Sequence, residues 1–135
     1  MDIGSINWLA VLVSAVSAFV LGGIWYGPIF GKAWQRLEGL SDEEIQGGSM
    51  PMIFGGAFVL NLVMASSLAL LLQLHPAPAL MSGASVGGLL GLTLIGSAYG
   101  ISYLFGRKPL ALWLIDAGYM VVFMTLMGAI LGAWR

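Results

Sequence analysis

The chain has 135 residues, of which 59% are hydrophobic and 8% are charged, and its formal net charge is −1. Soluble domains carry roughly 25% charged residues, so this composition argues against a water-soluble fold and favours the lipid bilayer as the solvent. The chain has no run of Lys or Arg, and we therefore expect no nucleic-acid partner. It has no cysteine and one histidine, so we also expect no disulfide, no metal centre and no cofactor.

The first predicted element is a membrane-spanning helix over about residues 5–27. No charged residue occurs from Ile3 to Gly31, and a helix needs about 20 apolar residues to cross the hydrocarbon core. The small residues Ser14 to Ala18 resemble a signal-peptidase site, but no Lys or Arg precedes them. We therefore predict a helix that is retained rather than cleaved.

A motif of aromatic residues, glycines, a proline and the first positive charge follows this span. Its members are Trp25, Tyr26, Gly27, Pro28, Phe30, Gly31, Lys32 and Trp34. We expect the Trp25 and Tyr26 rings to lie at headgroup level, and Pro28 to end the helix and open the next one. Apolar residues at helical spacing from Phe30 onward then predict a short amphipathic helix over about residues 29–38, lying in the membrane interface.

The rest of the chain predicts three further spans. Residues 46–106 contain no charged side chain, which is too long for one helix and suits two helices joined at the turn around His75 and Pro76. The predicted spans cover about residues 51–73, 79–105 and 109–134. The fold class is therefore an all-α integral membrane protein, in which residues 1–135 form a single domain with four transmembrane helices in a compact bundle.

The positions of the basic residues predict an orientation. Lys32 and Arg36 follow the first span, and Arg107 and Lys108 follow the third, so all four lie on one side of the membrane. Loops rich in Lys and Arg are usually cytoplasmic. We therefore predict a multi-pass protein of the cell inner (cytoplasmic) membrane with both termini extracytoplasmic.

Glycines at intervals of four residues predict close helix packing. They are Gly83, Gly87, Gly91, Gly96 and Gly100 in the third span and Gly128 and Gly132 in the fourth. Small residues let helices approach closely in lipid, where the hydrophobic effect contributes little to helix association. The neighbouring helix can belong to the same chain or to another protomer. We expect a homo-oligomer, most simply a dimer, because two-fold assemblies are the commonest.

Asp116 is the only carboxylate inside a predicted span, which makes it the first candidate for a functional site. Asn61, Tyr99 and Ser102 are expected at a similar depth, so these four residues form a candidate intramembrane polar site. Two interpretations remain open. Asp116 is either a carboxyl that is kept neutral, or hydrogen-bonded to Asn61 or Tyr99, and that fixes helix packing, or it is a proton or cation site whose protonation state is set by desolvation against any nearby Lys32 or Arg36.

The block from Gly22 to Trp34 resembles the signature of the bacterial family catalogued as domain of unknown function 1761. The remainder of the chain is similar to that family in its four-span layout and in a last helix that bears Asp116, Gly118 and Tyr119. The resemblance implies a small integral membrane protein. It implies no activity and assigns no catalytic or binding residue.

Three classes of function fit these observations unequally. The sequence favours a non-catalytic membrane component that binds a lipid or a protein partner, with the small-molecule ligand left open. The alternative is a small channel or transporter for protons, cations or a small solute that uses Asp116. An enzyme comes last, because the spans contain neither a Ser-His pair nor a second catalytic carboxylate.

Overall fold

A computed structural model describes all 135 residues, Met1–Arg135, as helices and short connections without a β-strand. After a short 3-10 turn at Ile3–Ser5, the helices are α1 (Trp8–Ile29), α2 (Gly31–Glu38), α3 (Asp42–Gln46), α4 (Met50–Leu72), α5 (Leu80–Phe105) and α6 (Leu110–Ala133). Of these, α1, α4, α5 and α6 are long and apolar enough to cross a membrane. The predicted fold class is confirmed.

The connections gather at two opposite ends of the bundle. At one end, the Lys108 Nζ atom lies 3.6 Å from the Glu38 Oε2 atom, and this ion pair joins the α5–α6 turn to α2. We call this the basic end, because it carries every Lys and Arg except Arg135. At the other end, the terminal end, the Gln73 side chain exchanges two hydrogen bonds with the Asp2 backbone, and the Arg135 guanidinium donates to the carbonyl of His75. The four long helices therefore alternate in direction.

Helix α6 lies at the centre of the fold and contacts each of the other three long helices. Its buried side chains pack against α1 and α4 in one apolar cluster. The members of that cluster are Ile6, Ala10, Val11, Ala18, Ala65, Leu68, Leu72, Phe123, Met124, Met127 and Leu131. Only 23 of the 135 residues are buried, so most of the apolar surface of the bundle is left for lipid.

Glycines hold α5 against α6 in the half of the bundle nearest the terminal end. A Cβ atom at Gly83 would overlap the backbone of Gly128, and one at Gly128 would overlap the backbone of Gly83. Gly87 meets the backbone of Met124 in the same way, and Gly132 meets that of Ala79. The neighbour of these glycine faces is therefore a helix of the same chain, which the sequence had left open.

The second half of α5 packs differently, because a π-helical turn at Gly91–Ile95 interrupts the helix. Beyond that turn, the Trp113 indole lies between the two helices: its N–H donates to the carbonyl of Gly96 at 3.0 Å. The same ring would meet a Cβ atom at Gly100 at 3.2 Å. Since a bulky ring replaces direct backbone contact, α5 and α6 separate toward the basic end.

The first span differs from its predicted bounds at both ends. It begins at Trp8, where the Asn7 side chain accepts a hydrogen bond from the Ala10 N–H and caps the helix. It ends at Ile29 rather than near residue 27, because Pro28 is accommodated inside a π-helical turn at Trp25–Ile29. An α-helix would bring the proline ring against the carbonyl four residues earlier, and the wider π turn relieves that clash.

Helix α2 begins at Gly31, two residues later than predicted, because the chain bends at Phe30, whose φ is −117° and ψ is 4°. The bend brings Gly31 so close to Tyr26 that a Cβ atom would lie 2.5 Å from the Tyr26 carbonyl oxygen. Glycine is needed there for that close approach. At its other end, α2 stops at Gly39, which adopts a left-handed conformation with φ of 72°.

Candidate functional site

Trp25 and Tyr26, at the basic end of α1, are directed into the bundle. The Trp25 indole N–H donates to the carbonyl of Ile115 in α6 at 3.0 Å. Its ring lies against Gly118, where a Cβ atom would be 3.3 Å away. This contact is possible because α6 passes close to α1 here and Gly118 has no side chain. The expected position of the two rings at headgroup level stays a prediction.

Asp116 lies in α6 beside this contact and is only 7% exposed. The Tyr26 hydroxyl donates to one of its carboxylate oxygens at 2.7 Å. The hydroxyl of Tyr103, from α5, donates to the other oxygen. The carboxylate therefore joins three spanning helices through two neutral donors, and no Lys or Arg side chain forms an ion pair with it.

A cavity of about 330 Å³ borders this carboxylate. Four aromatic and two acidic residues line it: Tyr26, Trp34, Tyr99, Tyr103, Glu38 and Asp116. We call it the Asp116 cavity. The edge of one ring meets the face of the other between Tyr26 and Trp34, whose centroids are 5.8 Å apart. Because Trp34 and Glu38 belong to the surface helix α2 and are partly exposed, the cavity lies at the basic end and opens to the surface.

The structure brings together only some of the predicted polar residues. Tyr99 lines the Asp116 cavity, although it makes no hydrogen bond to Asp116. Asn61 lies in a different cavity, because α4 packs mainly on α1 and α6. Ser102 is exposed. It directly precedes Tyr103, and adjacent residues of a helix point about 100° apart, so both cannot face Asp116.

Sequence reasoning missed both hydrogen-bond partners of Asp116. The sequence pattern places Tyr26 in the interfacial motif and gives Tyr103 no role. One signal for Tyr103 was present, since Tyr99 and Tyr103 are four residues apart and share a helix face. Their ring centroids are 5.8 Å apart in the structure. No comparable signal points to Tyr26, whose role depends on how α1 lies against α6.

Two largely apolar cavities flank the Asp116 cavity, and each shares one tyrosine with it. The larger, of about 560 Å³, lies between α1, α4 and α6 and includes Tyr26. The smaller, of about 210 Å³, lies between α5 and α6 and includes Tyr103. Leu104 and Leu110 line the smaller cavity and are 80% and 69% exposed, so this cavity opens onto the side of the bundle that faces lipid.

The charges around the site are unevenly compensated. Glu38 forms an ion pair with Lys108, whose ammonium also lies 5.1 Å from the centroid of the Tyr103 ring. Lys32 and Arg36 form no ion pair with Asp116 or with any other acid. No group of three His, Cys, Asp or Glu residues could hold a metal ion. Asp116 is thus the one carboxylate of the cavity without a cationic partner.

This geometry limits what the site can do chemically. An ionised carboxylate only accepts hydrogen bonds, and each oxygen can accept more than one. Each oxygen of Asp116 receives one tyrosine hydroxyl, which leaves acceptor capacity for a further donor or a cation. The four aromatic rings add surfaces that attract cations. The arrangement is therefore suited to binding a positively charged group or a proton.

Four helices that are long and apolar enough to span a membrane define the class of this molecule: it is a multi-pass helical membrane protein, with the Asp116 cavity at one end. More particularly, the chain belongs to the family described as protein of unknown function (DUF1761), whose model matches residues 9–132. The resemblance seen in the block from Gly22 to Trp34 is thereby confirmed. Comparisons with curated proteins and with solved structures found no match.

Proposed function

We propose that this protein is a non-catalytic membrane component that binds a lipid at the Asp116 cavity. The supporting observation is the order of the three cavities at the basic end, where a polar aromatic centre lies between two apolar spaces. A lipid has the matching arrangement of a polar headgroup next to apolar chains. The Asp116 cavity also falls within the size range of roughly 300–1,000 Å³ that is typical of ligand sites.

The packing beyond the cavity favours binding over conduction. Between the Asp116 cavity and the terminal end, α6 contributes Phe123, Met127 and Leu131 to the apolar core, and all three are buried. Ser14 is the one buried polar side chain besides Asp116. A permeation path needs several polar groups or a water-filled space along its length, so a path through a single chain has little support.

The alternative, a small channel or transporter for protons, cations or a small solute, is favoured by one observation: Asp116 has no cationic partner. A proton- or cation-flux assay in proteoliposomes tests it by comparing the native chain with Asp116→Asn. Flux that is abolished by this substitution would support transport. Absence of flux in both proteins would leave the binding function as the better account.

The proposal of a non-catalytic role is supported by the residue types at the cavity. Its polar groups are tyrosine hydroxyls and two carboxylates, one of which is paired with Lys108. The cavity lining contains no Ser, Cys, Thr or Lys next to a base, so the only candidate nucleophiles there are tyrosine hydroxyls and carboxylates.

The lipid proposal is tested by native mass spectrometry of the protein purified in mild detergent, with phospholipids added at increasing concentration. We expect saturable binding to the native chain and at least tenfold weaker binding to Asp116→Ala, a loss of about 1.4 kcal/mol. Glu43→Gln is the matched control, because Glu43 is an exposed carboxylate outside the cavity. Equal binding by all three proteins would contradict the site, and no saturable lipid binding would contradict the function.

We further propose that the protein lies in the cell inner membrane with its basic end in the cytoplasm and both termini outside. The clustering of Lys32, Arg36, Arg107 and Lys108 at one end supports this orientation, because loops rich in Lys and Arg are usually cytoplasmic. The Lys108–Glu38 contact supports the assignment of both connections to that end.

A homo-oligomer, most simply a dimer, is also proposed. The glycine faces expected to mediate it pack inside the chain, so its support comes from the general frequency of two-fold assemblies and from the exposed apolar face of α4, which includes Met52, Val59 and Val63. Mass measurement in mild detergent tests it, and finding only monomer at every concentration would contradict it.

A further inference from the structure

We infer that the group recognised in the Asp116 cavity is an organic ammonium, such as the charged end of an amine-bearing headgroup. This inference rests on the proposed lipid-binding function and names the chemistry of that same site. Its basis is the combination, in one cavity, of a buried carboxylate without a cationic partner and four aromatic side chains.

The carboxylate supplies the electrostatic part of the argument. Asp116 is more than nine-tenths buried and receives hydrogen bonds only from the neutral hydroxyls of Tyr26 and Tyr103. The other acid of the cavity, Glu38, is already paired with Lys108. A buried charge without an opposite charge is costly, and a cation that binds beside it reduces the penalty. A single positive charge from a ligand compensates Asp116.

The aromatic residues decide what kind of cation fits. Tyr26, Trp34, Tyr99 and Tyr103 line the cavity together with Asp116, and aromatic faces bind organic ammonium groups through cation–π attraction. The structure already contains one such contact, since the Lys108 ammonium lies 5.1 Å from the centroid of the Tyr103 ring. A small metal ion would need several oxygen ligands instead, and the cavity holds no set of three acidic or histidine ligands.

The apolar surroundings explain why the ammonium belongs to an amphiphile. Tyr26 and Tyr103 each form a wall of the Asp116 cavity and of an apolar cavity next to it. A headgroup ammonium held at Asp116 therefore leaves its attached chains beside one of these two spaces. A free amine would use the Asp116 cavity alone.

The test compares choline with its uncharged carbon isostere, 3,3-dimethylbutan-1-ol, by calorimetry on the full chain in mild detergent. We expect the native chain to bind choline at least tenfold more tightly than the uncharged isostere. In Asp116→Asn this ratio of affinities is expected to fall toward one, and in Glu43→Gln it is expected to stay unchanged. Trp34→Leu tests the aromatic contribution independently and is expected to weaken choline binding at least tenfold. Its control is Trp8→Leu, because Trp8 is exposed at the far end of α1.

A second arm distinguishes a headgroup from a free amine. Phosphatidylcholine, phosphatidylethanolamine and phosphatidylglycerol with identical short acyl chains are compared on the same variants. Tighter binding of the two ammonium lipids than of phosphatidylglycerol, dependent on Asp116, supports the inference. Equal Asp116-dependent binding of all three overturns the ammonium inference and leaves lipid binding intact. Binding of choline without binding of any lipid overturns the proposed function and retains ammonium recognition.

Discussion

At the scale of single residues, the two buried polar side chains differ in their hydrogen bonding. Asp116 has a hydrogen-bond donor for each carboxylate oxygen. Ser14, in the middle of α1, is fully buried and its hydroxyl has no partner. Other hydroxyls of the spans, such as those of Ser66 and Thr125, bond to carbonyls of their own helix. Replacing the Ser14 hydroxyl by an apolar group is therefore expected to raise the free energy of unfolding.

We predict that Ser14→Ala stabilises the protein by about 1 kcal/mol, because a buried hydroxyl without a partner costs roughly 1–3 kcal/mol. The free energy of unfolding in mixed detergent and denaturant measures the effect. Ser17→Ala is the control, since the Ser17 hydroxyl donates to the Ser14 carbonyl at 2.7 Å and its loss is expected to bring no gain. A destabilised Ser14→Ala would show that the hydroxyl contributes an interaction.

At the scale of helices, α5 consists of two halves with different partners. The half from Leu80 to Leu90 contacts α6 through glycine backbones, and the half from Gly96 to Phe105 contacts it through Trp113. The π-helical turn between them marks the change. Because the second half stands away from α6, space remains there for the Asp116 cavity. The glycine contacts of the first half of α5 thus help to set the position of its second half, which lines the Asp116 cavity.

We predict that Gly128→Ala destabilises the protein by about 1–3 kcal/mol, because its Cβ atom would overlap the Gly83 backbone and force α5 away from α6. Gly56→Ala is the matched control: Gly56 lies in α4 with open space around it. It is expected to be neutral or to stabilise by up to about 1 kcal/mol, since alanine favours the helix. Detergent unfolding measures both, and equal effects of the two substitutions would contradict this account of the glycine contacts.

At the scale of the whole molecule, one end is polar and aromatic and the other is closed by terminal contacts. The basic end carries α2, the α5–α6 turn and the Asp116 cavity. At the terminal end, the Asp2 backbone exchanges two hydrogen bonds with the Gln73 side chain. The Asn7 side chain donates to the carbonyl of Trp134. This asymmetry makes the orientation in the membrane decisive for which compartment or leaflet reaches the site.

We predict that single cysteines report opposite sides of the membrane, which is feasible because the chain has no native cysteine. In intact cells, a membrane-impermeant thiol reagent is expected to label Ala77→Cys, in the α4–α5 turn, and to leave Ser41→Cys unlabelled until the cells are opened. Both positions are exposed, so accessibility reports the side and not burial. Labelling of Ser41→Cys alone in intact cells would reverse the proposed orientation.

The sequence by itself determined the elements and their order. Apolar segments long enough to cross a bilayer, separated by charged or proline-containing turns, predicted four spans and a surface helix. Alternating directions then followed, because each span carries the chain to the other side of the membrane. The regular glycines of α5 and α6 predicted close packing, because small residues let two helix backbones approach each other. These features are local, so they can be derived from segment length and residue type alone.

Only the tertiary structure decided which side chains meet at Asp116. In a soluble helix, hydrophobic periodicity shows which face is buried, but in a bilayer both the core and the lipid are apolar, so that signal is weak. The rotation of α1 that turns Tyr26 toward Asp116, and the separation of α5 that leaves Tyr103 within reach, depend on contacts between helices distant in sequence. Asn61 was expected nearby for its depth alone, and depth does not specify which face of a helix meets which neighbour.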